Sequence, residues 1–431
     1  MKPIINYTTL LILLISIIAC NNSAKQTTTQ NNQSTFAPLK ERNEMLAKSG
    51  DWLSIQNQVS TLLEKIKLDS NDLKSKIQLA QIYMQEARIT GEHPYYYPAT
   101  LVILDDVLRH DDKHFEALAF KASVLLSLHH FEDALKIGNK AVAINPNNGF
   151  IYGVLCDANV ELGHYEDAVK MSDKMQGIRP GLESYSRASY LREIYGQNAG
   201  AIEAMKLAFQ AGMPGSEEAS WAGNTMCHLL ENTGDLGHAE EVSKIVLEQR
   251  PSYAFATDAL GRIEMAKGHY DAAIKLFNDA IKVMPEFSFY ENMAEAYLAK
   301  GDVAKSKEIY TNVLEMLSED AKSGHYADME LALVYLKLED YNNALKHAKI
   351  EYDRRPLNID VNTTMAWVLQ KSGKPAEAKR YMDVAMKTGK QNAELLNKAA
   401  QIEIANGNQK LGDELMKKAK QINPNNTNSL I

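Results

Sequence analysis

The chain has 431 residues, a formal net charge of −8 and a pI near 5.8. An acidic protein has no general electrostatic attraction for a phosphate backbone, so these values argue against a nucleic acid partner. The length exceeds that of one ordinary compact domain, yet no central change in composition divides the chain. A stack of repeated units would resolve this conflict, because each unit buries surface only against its neighbours.

The first twenty residues have the composition of a secretory signal. Lys2 gives a weakly positive start, residues 10–19 are almost continuously apolar, and Ala19 precedes Cys20. The apolar run is too short to span a bilayer as a helix. Its ending resembles a bacterial lipoprotein signal, in which the cysteine is lipidated and becomes the mature N-terminus. An ordinary signal peptide or an uncleaved anchor is the alternative.

That resemblance implies a signal peptide over residues 1–19 and a lipid on Cys20, which would be the chain's contact with the membrane. Residues 20–38 are polar and nearly uncharged, so we expect a disordered tether. The residues that follow Cys20 lack the early Asp of inner-membrane retention and the acidic run of surface-export signals. The expected location is the bacterial envelope, at the outer membrane facing the periplasm.

Prolines recur at intervals of 34 residues, as in Pro146, Pro180 and Pro214, and again in Pro251 and Pro285. Such a period indicates a stacked two-helix unit. We place nine unit starts at Phe115, Gly149, Leu182, Ser220, Ala254, Phe287, His325, Ile359 and Ala393. The eighth and twentieth residues of every unit are small, which predicts close helix crossings at these places.

This pattern of small residues, turn glycines and late prolines resembles the tetratricopeptide repeat family, and residues 254–285 match it best. The resemblance implies an all-α solenoid of helical hairpins, wound as a right-handed superhelix, over residues 113–424. Residues 425–431 form a tail. Residues 39–112 are predicted to be degenerate repeats with an aromatic insertion at 87–98. Its tyrosines, Tyr95, Tyr96 and Tyr97, either pack across the N-terminal units or form a recognition loop.

The repeat register also bears on the cysteines, since Cys156 and Cys227 fall at the same place two units apart. Helix layers are about 8–10 Å apart, whereas a disulfide requires Cα atoms within about 7 Å. We therefore predict two buried, unbridged cysteines.

In tetratricopeptide arrays the first helices line a concave groove that binds peptides, and the family register implies which side chains face it. The predicted groove is acidic with aromatic sites, which would favour basic or amino-terminal segments. The alternative is a solvated helix face. The candidate residues are Asp157, Tyr190, Glu193, Trp221, Asn224, His228, Glu231, Phe255, Asp258, Arg262, Glu291 and Glu295. Because no Lys or Arg stands four residues after any unit start, a carboxylate clamp is disfavoured.

Chemistry beyond binding is weakly indicated. His110, His114, His129 and His130 lie close in sequence, but they fall at predicted turns, where surface histidines are the simpler explanation than a zinc site. The sequence has no phosphate loop, zinc-protease motif or nucleophile elbow. We predict neither an enzyme nor a cofactor.

The function that these patterns favour is a scaffold anchored in the envelope, which binds a protein or peptide through its concave groove. The alternative is a periplasmic lipoprotein that binds a small ligand or a metal.

Overall fold

The computed structural model describes residues 36–48 and 50–425, so the signal, Cys20 and most of the tether lie outside the described residues. Within these ranges the chain forms 22 α-helices and no strand. Their bounds are α1 Glu44–Ala47, α2 Trp52–Leu68, α3 Leu73–Thr90, α4 His93–His110, α5 Phe115–Ser127, α6 Phe131–Ile144, α7 Gly149–Glu161, α8 Tyr165–Ile178, α9 Leu182–Ile194, α10 Asn198–Ala211, α11 Glu217–Asn232, α12 Leu236–Gln249, α13 Ala254–Ala266, α14 Tyr270–Val283, α15 Phe287–Lys300, α16 Val303–Lys322, α17 Asp328–Lys337, α18 Tyr341–Arg354, α19 Ile359–Lys371, α20 Pro375–Ala385, α21 Ala393–Ala405 and α22 Gln409–Ile422.

From α3 onward the helices pack in consecutive pairs, and the first helices of neighbouring pairs also touch, as α5 touches α7 and α11 touches α13. The small residues of the predicted eighth and twentieth places are buried in every unit. A Cβ added at Gly261 would lie 2.5 Å from the Phe277 ring, which shows how closely the two helices of a pair approach. The predicted helical solenoid is therefore confirmed, whereas α11 and α17 begin at Glu217 and Asp328 and not at the predicted unit starts Ser220 and His325.

Each of the ten pairs from α3/α4 to α21/α22 contains a hairpin turn, our name for the turn between its two helices. In each turn one residue adopts a left-handed conformation, at Gly91, His129, Gly163, Gly196, Gly234, Gly268, Gly301, Glu339, Gly373 and Gly407. Glycine adopts this conformation without a Cβ penalty. His129 and Glu339 adopt it with φ of 62° and 63°.

Residues 87–98 differ from the predicted insertion. Helix α3 continues to Thr90 and α4 already begins at His93, so only Gly91 and Glu92 separate them. Pro94 lies in the first turn of α4, where a missing N–H costs nothing because that donor has no intrahelical partner. The extra residues therefore lengthen two helices and do not form a loop.

Successive turns of the superhelix contact each other along what we call the seam. There, a hairpin turn meets a connection, the segment that follows a pair of helices. A Cβ at Gly163 would lie 2.4 Å from the carbonyl carbon of Leu357, and one at Gly196 would lie 2.4 Å from the oxygen of Gly389. The turn at Gly234 meets Pro424 in the same way. In every case the facing connection comes after the fifth pair that follows the pair containing the hairpin turn. For example, the turn of α7/α8 meets the connection after α17/α18.

Polar groups hold the seam together. Asn358 Nδ2 donates to the carbonyl of Glu161 at 3.0 Å, and Asn423 Nδ2 donates to that of Glu231 at 2.9 Å. Both carbonyls lie in the last turn of a first helix. That of Glu161 has no other donor among the described residues, whereas that of Glu231 also accepts from the amide of Gly234 at 3.0 Å. Arg355, which is 3% exposed, forms an ion pair with Glu161 across the seam. At Glu161 the seam therefore satisfies a backbone carbonyl that a bare solenoid would leave to water.

Among residues 36–48 and 50–425, no helix combines the length and the apolar character that crossing a bilayer requires.

Candidate functional site

The predicted groove residues lie on the first helices of the pairs, and we call the surface that these helices form the lumen. Side chains from distant parts of the chain meet there. Burial lowers the pKa of His228 on α11, and so do the charges of Arg262 on α13 and of Lys390 in the connection after α20. Glu193 on α9 has the opposite effect on the same pKa. Arg262, Glu193 and Lys390 therefore all lie within electrostatic range of His228.

Several predicted groove residues tie neighbouring first helices together. The Arg262 guanidinium lies 3.0 Å from the Glu231 carboxylate on α11 and also bonds Asp258, which is 2% exposed. Asn292 on α15 donates to Asp258 at 2.9 Å. Burial raises the pKa of Asp258 to about 6, although the Arg262 charge opposes this rise. This network links α11, α13 and α15 and leaves Asp258 inaccessible to a ligand.

A second tie joins α7 to α9. Arg187 Nη2 lies 2.6 Å from the Asp157 carboxylate, and Arg187 Nε donates to the carbonyl of Gly153 at 3.1 Å. A Cβ at position 153 would lie 2.9 Å from the guanidinium carbon, so glycine leaves room for this contact. Asp157 is therefore a partner of Arg187, which the sequence reasoning missed.

Two further candidates also have internal partners. The Tyr310 hydroxyl donates to Glu295, which forms an ion pair of 2.7 Å with Lys337. The ring of Phe255 makes an edge contact with that of Phe289, at 5.1 Å between centroids, within a buried cluster. Glu295 and Phe255 thus contribute to packing between units.

Six candidates keep their side chains without a hydrogen bond or ion pair to any residue that the structure describes. Trp221 is 44% exposed, and the buried Oδ1 of Asn224 has no donor. The six are Tyr190, Glu193, Trp221, Asn224, His228 and Glu291. They lie on α9, α11 and α15, and they are the predicted groove residues whose side-chain polar groups or rings are not engaged by another described residue.

Carboxyl groups near Glu291 titrate above their usual range. Burial and the nearby carboxylates of Glu330, Glu295 and Glu286 raise the pKa of Glu291 to about 8, although Lys337 opposes this rise. Burial and Asp320 raise the pKa of Glu286 to about 7. Such groups favour a cation, because a positive charge stabilises their ionised form.

The structure adds lumen residues that the sequence reasoning did not select. Burial raises the pKa of Glu161 to about 7, while Arg355 opposes this rise. Lys390 lies 3.3 Å from Asp360. Asp360 stands one residue after a unit start, which is a predicted groove place, so applying the register to that unit would have found it. Lys390 stands 34 residues after Pro356, where the repeat pattern would place a proline, and this departure is the sequence signal that marks it.

Tyr95, Tyr96 and Tyr97 lie in the first turn of α4, which corrects the prediction of a recognition loop. The Tyr95 hydroxyl donates to the carbonyl of Pro38 at 2.6 Å, and the Tyr96 hydroxyl accepts from the amide of Lys40 at 3.1 Å. Tyr97 is 6% exposed. These tyrosines hold the N-terminal segment against the first pair, as the packing alternative describes.

The turn histidines are not simply solvent-exposed. His129 Nδ1 lies 3.1 Å from the carbonyl of Tyr326, and the ring of His130 stacks on that of Tyr326 at 3.9 Å between centroids. Burial and the neighbouring His325 lower the pKa of His129 to about 3. These residues therefore belong to the seam. In the described part of the chain, His, Cys, Asp and Glu side chains form no group of three that could hold a metal ion.

Cys156 and Cys227 are both buried and free, as the repeat register predicts. Burial strongly raises the pKa of each thiol. The neutral thiols fill the small places at which α7 and α11 cross their neighbours.

The sequence model of the tetratricopeptide repeat matches residues 259–311, which include most of α13, all of α14 and α15 and the start of α16. The ten pairs continue this repeat on both sides with the same buried small residues and the same turn geometry. Residues 259–311 are tetratricopeptide repeats, and the described chain has the helical-hairpin solenoid fold of that repeat.

The mitochondrial import receptor subunit TOM70 of Saccharomyces cerevisiae is 26% identical to this chain over 153 residues. The match covers 31% of this chain and 25% of the receptor's length. Among solved structures, the human IFIT1 dimer with PPP-AAAA is similar to this chain. The match covers 86% of this chain and 88% of the IFIT1 chain, at 15% identity and a TM-score of 0.47. A tetratricopeptide repeat protein from Parabacteroides merdae is also similar. The match covers 56% of this chain and 93% of that protein's chain, at 16% identity and a TM-score of 0.34.

Proposed function

We propose that this protein is a scaffold that binds a protein or peptide segment in its lumen through basic or amino-terminal groups. The observation that carries the proposal is that Glu193 and Glu291 form no hydrogen bond or ion pair with a described residue, although the charges of Lys390 and Lys337 lie within electrostatic range of them. Tyr190 lies within electrostatic range of Glu193, and Trp221, which is 44% exposed on α11, adds aromatic surface. Aromatic rings supply contact area at a low entropic cost, and carboxylates select cations.

The seam shapes how such a segment would enter. Contacts between hairpin turns and connections close the wall between successive superhelical turns. A bound segment would therefore run along the axis in an extended form and would not lie across an open groove.

We further propose that Cys20 carries a lipid that anchors the protein in the bacterial envelope, at the outer membrane facing the periplasm. The Ala19-Cys20 ending of an apolar run supports this proposal, and both residues lie outside the described ranges. Mass spectrometry of the mature N-terminus is the test. A lipid-modified Cys20, lost in Cys20→Ser, is the expected result; an unmodified N-terminus at another residue would contradict it.

Binding is tested by selecting peptides from a random library against the full chain. We expect enrichment of Lys, Arg or a free amino terminus, and loss of the selected peptides in the triple variant Trp221→Ala, Glu193→Gln, Glu291→Gln. The matched control changes exposed residues of second helices, Tyr341→Ala, Glu241→Gln and Glu319→Gln. Equal binding by both triple variants would refute the lumen assignment.

The pH dependence of affinity gives a second readout of the same site. Glu291 holds its proton up to a pKa of about 8 in the free protein. A cationic ligand prefers the ionised carboxylate, so affinity for a selected peptide should increase as the pH rises from neutrality through about 8. Glu291→Gln should remove this increase. A pH dependence that is equal in wild type and variant would contradict the role of Glu291.

No observation favours the small-ligand or metal alternative. The enclosed cavity between α1 and the connection after α12 has a free volume of about 20 Å³, which suffices for about one water molecule.

A further inference from the structure

The seam joins hairpin turns to connections. In the described part of the chain, one end of the superhelix also carries hairpin turns without a facing connection, and the other end carries connections without a facing hairpin turn. The hairpin turns at Gly91, His129, Gly163, Gly196 and Gly234 are docked on connections. At the hairpin turns of the later pairs, a Cβ added to Gly268, Gly301, Gly373 or Gly407 would meet nothing within 4 Å. The end of the superhelix that carries the later hairpin turns is therefore a docking surface of the seam type with nothing on it; we call it the hairpin face.

In residues 36–48 and 50–425, the opposite end presents connections that no hairpin turn covers. They follow α2, α4, α6, α8 and α10, and we call them the connection face. Apolar residues that end second helices are exposed here: Leu68 by 88%, Ile144 by 41% and Ile178 by 40%. Val283 occupies the same place at the end of α14, beside the docked turn at Gly91, and is 6% exposed. The exposure of this apolar row thus reflects an absent partner rather than the repeat itself.

The sequence Asn-Pro-Asn occurs both in a connection that is docked on a hairpin turn and in a connection of the connection face. Asn423-Pro424-Asn425, after α22, forms a turn in which Asn423 Oδ1 accepts from the amide of Asn425, while its Nδ2 donates across the seam to Glu231. Asn145-Pro146-Asn147, after α6, forms the same turn, with Asn145 Oδ1 accepting from the amide of Asn147 at 3.2 Å. Asn145 Nδ2 has no acceptor among the described residues. The connection face therefore carries a docking motif of the seam in its docked conformation.

We propose that a second copy of this chain docks coaxially, its connection face on the hairpin face of the first copy, and so continues the seam between molecules. Within one chain, each hairpin turn meets the connection that follows the fifth pair further on. If α1/α2 of the second copy takes the next position after α21/α22, the same rule pairs the five free hairpin turns with the five free connections in order. The turn at Glu339 then faces Asn145-Pro146-Asn147, and the turn at Gly373 faces the connection that begins after Ile178.

Such an interface is heterologous, because the two surfaces differ, and it does not close on itself. Each copy that is added leaves one hairpin face and one connection face free. Stacking would also join the lumens of successive copies end to end. The proposal is independent of what the lumen binds.

The test blocks one face at a time in the full chain, purified in detergent. Ile178→Cys on the connection face and Lys374→Cys on the hairpin face are each coupled to a polyethylene glycol maleimide, whose bulk prevents docking. Cys156 and Cys227 are buried, and the wild-type chain treated with the same reagent controls for labelling elsewhere. The unlabelled form of each variant, under reducing conditions, is the matched control.

Sedimentation velocity over a concentration series should show association of the wild type and of both unlabelled variants. Each labelled variant alone should remain monomeric, with an association constant at least about tenfold lower. An equimolar mixture of the two labelled variants should form a dimer and nothing larger, since each supplies the face that the other lacks. Wild type that is monomeric throughout would overturn the proposal. Association of one labelled variant with itself, or a mixture that stays monomeric, would overturn it equally.

Discussion

The hairpin turns of the first five pairs and those of the last five pairs share a backbone conformation but not an environment. Gly163 and Gly268 have φ of 79° and 81°, yet a Cβ at Gly163 would collide with backbone atoms of Leu357, while one at Gly268 would meet open space. One repeat unit therefore yields two kinds of turn, depending on whether the chain has wound far enough to meet it. In a solenoid, the backbone conformation of a turn depends on its own repeat unit. The residues that surround the turn depend on how many further units the chain contains.

The largest expected effect comes from the buried charge of the docked connections. Arg355→Met removes the cross-seam partner of Glu161 and leaves Glu351, which is 2% exposed, without one of its two arginine partners. Breaking a buried pair in this way should lower the free energy of unfolding by about 3–5 kcal/mol. Denaturant titration is the measurement.

Arg179 provides the matched control, because it follows α8 as Arg355 follows α18, but on the connection face, where it is exposed. Arg179→Met should change the free energy of unfolding by less than about 0.5 kcal/mol. Equal losses in the two variants would mean that the seam adds nothing at Arg355.

The next effect isolates the seam at a single methyl group. Gly163→Ala and Gly268→Ala both place a Cβ on a left-handed residue, which costs about 1–2 kcal/mol in each. Only Gly163→Ala adds a collision with the facing connection, which should cost about 1–3 kcal/mol more because backbone must move. Thermal or denaturant unfolding of the two variants measures this difference. Identical destabilisation would show that the two superhelical turns are not in contact at Gly163.

How far the sequence alone predicts this molecule depends on the range of the interaction. The small residues, such as Ala122 and Ala134, report contacts within a pair or between neighbours, so the period predicts the fold and the burial of Cys156 and Cys227. The same register predicts that Glu193, Trp221 and Glu291 face a groove, and this stays a prediction. All of these are properties of one unit and its nearest neighbours.

The seam could not be predicted in this way, because it depends on how far the superhelix rotates and rises with each unit, which no single unit encodes. His129 and His130 were therefore expected at a solvent-exposed turn, although they pack against Tyr326. Asp157 and Asp258 were expected to face a ligand, yet Arg187 and Arg262 neutralise them. Those arginine partners lie on first helices, and the sequence reasoning had assigned Arg262 to the ligand instead.

The smallest effect compares the two copies of the Asn-Pro-Asn motif. Asn423→Ala and Asn145→Ala each remove the acceptor that fixes the turn after a second helix, at 2.9 Å to the amide of Asn425 and 3.2 Å to that of Asn147. This shared loss should cancel between the variants. Asn423→Ala also removes the bond from Nδ2 to the carbonyl of Glu231, so it should destabilise the fold by about 1 kcal/mol more.

Unfolding must be measured at concentrations where the wild type is monomeric, since docking of a second copy would give Asn145 Nδ2 an acceptor. Under those conditions a greater loss for Asn145→Ala would contradict the seam contact, whereas a difference that shrinks as the protein concentration rises is the result that coaxial docking requires.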